Sequence, residues 1–100
     1  MIISLEPSPR STKRLRATFD DGRTFDFGLR GGQTYIEHRD RALRANYRAR
    51  HLANATERRL IENLVPSSSL LAYAILWGAS RSIAKNVASL NRAFRKKYKD

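Results

Sequence analysis

Apolar residues alternate on both sides of a single acidic turn: Leu15, Ala17 and Phe19 precede Asp20-Asp21-Gly22, and Phe25, Phe27 and Leu29 follow it. Period-two spacing places each set on one face of a strand. An Asp-Gly pair between two such runs supplies the positive φ of a tight reversal, so the pattern predicts a β-hairpin. Ile3 and Leu5 are available for a third strand, with Pro7-Ser8-Pro9 turning the chain between them. An isolated hairpin is marginal in water, so this small sheet must pack on the rest of the chain. Gly28, Gly31 and Gly32 read as a turn and not as a phosphate loop, because no lysine followed by serine or threonine closes them.

The period changes after that. From about His38–Asp40 to Ala53 the spacing predicts a helix with Leu43, Tyr47 and His51 on one face. Arg41, Arg44 and Arg48 border that face on one side, and Arg39 and Arg50 on the other. Ala42, Ala45 and Ala49 fill the remaining side, which could pack closely on another element and leave the Leu/Tyr face to a partner; the opposite orientation is equally compatible with the spacing. A short helix is expected over 56–64, stopped by Pro66. The run from Leu70 to Trp77 is apolar all round and reads as the central core helix, with Ser67 to Ser69 as its cap and Gly78 as its end. A last helix over 81–98, capped by Ser80, has Ile83, Val87, Leu90, Phe94 and Tyr98 in one stripe, with Arg81, Lys85, Arg92, Lys96 and Lys99 opposite. The fold class is therefore α+β: a sheet region over 1–33 packed on a bundle of three to four helices over 38–99, in one domain.

A chain of 100 residues buries roughly 60–65% of the surface its unfolded form exposes, a modest core. With 20 Lys and Arg against 9 Asp and Glu, the net charge is +11, which favours acidic surfaces or polyanions as partners. Fifteen of the basic residues are arginine, whose planar fork binds phosphate and carboxylate bidentately. Without cysteine, disulfide scaffolds, thiol catalysis and cysteine-based zinc sites are excluded. The apolar stretch from Leu70 to Trp77 is far shorter than the 18 or so residues a membrane span needs, so a soluble protein is expected.

His38-Arg39-Asp40 has the form of a kinase catalytic tripeptide, but Asp26-Phe27-Gly28 precedes it, where kinase order requires it to follow. His38, Asp40 and His51 are residue types that bind metal, yet on one straight helix the two histidines would stand roughly 20 Å apart. No recognisable nucleophile, base and orienter accompany them. The expectation is a protein that is not an enzyme and carries no metal or other cofactor.

The order of short motifs carries more than composition does. Asp26-Phe27-Gly28, Gly31-Gly32, Thr34-Tyr35, His38-Arg39-Asp40, Tyr47, Arg50-His51 and Leu76-Trp77-Gly78 resemble a family of small basic proteins of nucleocytoplasmic large DNA viruses, over about residues 5–95. That resemblance implies a minor capsid or virion component, located in the capsid and assembled in the host cytoplasm. It carries over no catalytic residues. Where relatives have an acidic residue and a tryptophan shortly after the Arg-His pair, this chain has Asn54-Ala55-Thr56-Glu57.

Two functional expectations follow. The first is a structural protein cementing larger, acidic capsid proteins through Arg39, Arg41, Arg44, Tyr47, Arg48 and Arg50. The second is a protein that binds viral DNA in the virion through Arg81, Lys85, Arg92, Lys96 and Lys99.

Overall fold

The structure is a computed structural model that describes residues 1–98. Three antiparallel strands, β1 (Ile2–Pro7), β2 (Lys13–Phe19) and β3 (Thr24–Leu29), pair in chain order. The expected alternation sets the β2–β3 register, with Leu15 opposite Phe27 and Ala17 opposite Phe25. Gly22 sits in the turn at φ 90°, a conformation that only glycine adopts freely. The third strand is present, and β1 pairs along β2 with one irregularity between Ile2 and Ser4.

The helices follow as α1 (Tyr35–His38), α2 (Arg41–Ala53), α3 (Ala55–Glu62), α4 (Ser68–Leu71) and α5 (Ile83–Lys97), with a π-helical turn over Ala72–Leu76 continuing α4. The helix expected from about His38–Asp40 to Ala53 is α2, and a short helix not expected from the sequence, α1, precedes it. Arg39 takes a left-handed conformation at φ 58° and ends α1, and the Asp40 carboxylate then accepts from the Ala42 and Leu43 amides to start α2. Asp40 favours that cap because its short acceptor replaces the bonds a first turn lacks. α1 has its own capping box: Thr34 accepts from the Ile36 amide, and Glu37 accepts from the Thr34 amide. The cap of α5 is Ser82, two residues later than the expected Ser80, and accepts from the Lys85 amide. Ser80 instead accepts from the Ser82 amide.

The core lies between one face of the sheet and the α4–π segment. Phe27, Leu70, Leu71, Ile75 and Leu76 are fully buried, with Phe19, Leu90 and Phe94 closing it from the hairpin and α5. Leu70 to Leu76 is central, as its unbroken apolar character predicts. The widened turn ends in the bond from the Trp77 amide to the Ala72 carbonyl, and Gly78 follows where a side chain has no room. A Cβ there would lie 2.1 Å from the Ala74 oxygen and 2.8 Å from Cγ of Asn86. Asn86 is buried and ties this corner together: its amide nitrogen donates to the Ile75 and Ser80 carbonyls and its oxygen accepts from the Ser80 amide.

Candidate nucleic-acid interface

Trp77, presented by the end of the π turn, decides which face of α2 turns inward. Tyr47 stacks on it nearly parallel, with 4.1 Å between centroids and 7° between planes. His51 lies on the other side of Tyr47 at 4.0 Å, and His38 tilts against Trp77 at 5.2 Å. The rings thus run in the order His38, Trp77, Tyr47, His51. Aromatic burial outweighs the close approach that alanine allows, so Ala42, Ala45 and Ala49 face solvent. Burial also pushes the Tyr47 hydroxyl up to about 12.

Arg44 and Arg48 follow Tyr47 inward. Nε of Arg44 donates to the Gly78 carbonyl at 2.8 Å, and Nη1 of Arg48 donates to the Trp77 carbonyl at 2.8 Å. These carbonyls end a helical segment, where acceptors lack intrahelical partners and the local dipole favours cations. The guanidinium of Arg48 lies 4.0 Å from the centre of the Tyr73 ring, and that of Arg44 lies 5.5 Å from Tyr35. Of the six residues expected to meet a partner, Tyr47 is engaged internally and Arg44 and Arg48 are half-buried, each with one N–H held by a carbonyl. Arg39, Arg41 and Arg50 are exposed. The sequence signal for this arrangement was Gly78: a glycine closing an apolar helix leaves carbonyls that a nearby Arg-x-x-x-Arg pair can satisfy.

The basic side of α5 has the form that its spacing predicts. Lys85, Arg92 and Lys96 are all exposed, and their spacing of seven and four residues puts them on one line of α5; Arg81 is also exposed but precedes the Ser82 cap, outside the helix. Lys85 and Lys96 are about 17 Å apart along the axis. Lys99 lies outside the described residues. No carboxylate occurs between Asn63 and Lys99, so the charge of this line is uncompensated locally. The sheet differs, because its cations are largely paired: Arg16 with Asp26 at 2.9 Å, Arg23 with Asp21 at 2.7 Å, and Arg14 with Glu37 at 2.8 Å. Arg16 and then Ser8, by hydrogen bonding, pull the Asp26 carboxyl down to about 2.

His38, Asp40 and His51 are not brought together. The Asp40 carboxylate caps α2, His38 Nδ1 accepts from the Asp40 amide at 2.9 Å, and His51 stands at the far end of the ring series. The Glu57 carboxylate lies 2.8 Å from His51 Nδ1, but the geometry is not that of a hydrogen bond. Among the described residues no cluster of three or more His, Asp or Glu side chains could hold a metal, and no helix is long and apolar enough to cross a membrane.

Residues 3–51, just under half of the chain, are similar to a family of unknown function, DUF5754. The matched part contains the sheet, α1 and most of α2, including Arg44 and Arg48, and stops short of α5. No curated protein and no solved structure matches the chain.

Proposed function

We propose that this protein is a non-enzymatic nucleic-acid-binding component of a virion, holding the phosphate backbone along α5. The observation that carries this reading is the exposed line of Lys85, Arg92 and Lys96 along α5, with exposed Arg81 just before its cap, in a stretch with no carboxylate. Such a line neutralises phosphates and releases their counterions. The virion setting, in the capsid and assembled in the host cytoplasm, rests on the resemblance to small basic proteins of large DNA viruses. Between the cations stand Ala88 and Ser89, which are exposed and offer no ring for base stacking. Binding is therefore insensitive to sequence.

Fluorescence anisotropy with two unrelated duplexes tests this. Four neutralised phosphates give a slope of about −3.6 in log affinity against log salt, a loss of about 150-fold between 50 and 200 mM. Replacing both Lys85 and Lys96 with alanine halves that slope while leaving the helical circular dichroism unchanged. A wild-type slope near zero, or one unmoved by the double substitution, refutes the reading.

A second reading, a minor capsid protein that cements acidic neighbours, is favoured by the outer side of α2. There Leu43 is 48% exposed, and Arg39, Arg41 and Arg50 are exposed nearby in the chain. Reversing Arg41 and Arg50 to glutamate then blocks incorporation into particles without affecting duplex binding; normal incorporation rejects this role.

A further inference from the structure

Arg44 and Arg48 form a pair of like charges with no counterion among the described residues. Among the described residues neither makes a salt bridge, and no carboxylate lines the cleft of about 270 Å³ that they share with Tyr73, Asn86 and Ser89 over an otherwise apolar wall that includes Ile61, Leu70 and Leu90. The two cations repel: Arg44 is held below the ordinary guanidinium range first by burial and then by the charge of Arg48. Holding two guanidinium groups together costs free energy that a carboxylate would usually offset, and here the backbone supplies the restraint instead. Carbonyls at residues 77 and 78 fix one N–H of each, and Tyr73 supports Arg48 from one side. A guanidinium carries five N–H groups, and the remaining ones have no protein acceptor among the described residues. They are not sealed from solvent, since among the described residues the only buried polar side-chain atoms without partners are the two histidine nitrogens.

The cleft has room for several waters, at about 30 Å³ each, or for one tetrahedral anion. Its far wall is α5, where the Ser89 hydroxyl accepts from Nη2 of Arg92 at 3.3 Å and keeps its own proton to donate. Arg92 belongs to the exposed basic line, so the cleft opens beside that line.

We infer that Arg44 and Arg48, with Ser89, form a seat for a phosphoryl oxyanion between α2 and α5. Two fixed forks and a hydroxyl suit the several acceptor oxygens of one phosphate. That the phosphate belongs to a nucleic-acid backbone rests on the reading of α5; the seat itself does not.

The test uses the full chain and inorganic phosphate, added against chloride at constant ionic strength and followed by thermal unfolding and by the side-chain NMR signals of the arginines. The seat predicts a saturable rise in Tm, with the Arg44 and Arg48 signals moving together. Arg48→Lys keeps the charge and loses the fork, and should weaken phosphate by about tenfold. Ser89→Ala, at an exposed position, weakens it less and leaves the fold intact. The variant lacking Lys85 and Lys96 should lose duplex affinity and keep its phosphate response, so the two proposals fail separately. A phosphate response no greater than that of chloride, or one that moves arginines other than 44 and 48, overturns the seat even if no variant at Arg48 folds.

Discussion

Replacing Gly78 with alanine should be among the most damaging single substitutions in this protein. The added Cβ would lie 2.1 Å from the Ala74 oxygen and within 2.9 Å of two atoms of the Asn86 amide. The backbone at Gly78 is not in the left-handed region, so the cost is steric and not conformational. Relief requires either the π turn to shift or Asn86 to move away from its three backbone partners. Overpacking of this kind costs about 1–3 kcal/mol, and each net hydrogen bond adds roughly 0.5–1.5 kcal/mol. A loss of about 3–5 kcal/mol is expected, a large part of the 5–15 kcal/mol typical of a whole domain. Urea unfolding followed by the fluorescence of Trp77, the only tryptophan, measures it directly. Because the carbonyls of Trp77 and Gly78 also position Arg48 and Arg44, any folded fraction should respond more weakly to phosphate. A variant within 0.5 kcal/mol of wild type would refute the reasoning about this corner.

Other perturbations probe the sheet, the caps and the ring series. Thr34→Ala removes the side-chain half of the α1 capping box, the bond from the Ile36 amide, while the Thr34 amide can still donate to Glu37; it should cost about 1 kcal/mol, read as a lower urea midpoint at unchanged slope. Asp26, whose carboxyl is pulled down to about 2, contributes stability that is complete above its unfolded value near 4 and is lost as pH falls through 2. Urea midpoints between pH 5 and 2 should therefore drop in the wild type and drop less in Asp26→Asn. Tyr47 has the opposite sign. Its folded value of about 12 exceeds the unfolded value near 10, so the unfolded chain releases the proton first and stability declines between pH 10 and 12. Tyr47→Phe should remove that decline while retaining the stack on Trp77.

The sheet was legible because period two with an Asp-Gly reversal has few alternative readings, and β2 and β3 pair in the register that pattern requires. Likewise, the apolar run from Leu70 marks the centre of the core whatever its helical type, since it has no polar side to turn outward. The π widening was not legible, because it depends on how Asn86 and Gly78 meet, eight residues apart in sequence. The short α1 was missed for a local reason: four residues are too few to show a helical period, and only the Thr34 capping box and the left-handed Arg39 delimit them. For the candidate site, the α5 line followed from spacing alone. The orientation of α2 did not, because both of its sides are plausible contact faces until Trp77 is placed. Tyr47, Arg44 and Arg48 then turn inward, and what had the composition of an open interface becomes a half-buried pair of cations at a helix terminus.

The most direct test of α5 as the nucleic-acid surface is NMR mapping of the ¹⁵N-labelled chain, titrated with a short duplex at low salt. The account predicts shift changes at Arg81, Lys85, Ser89, Arg92 and Lys96, reversed by added salt, with the outer side of α2 unmoved. Changes confined to Arg39, Arg41 and Arg50, or none at any residue, would contradict it.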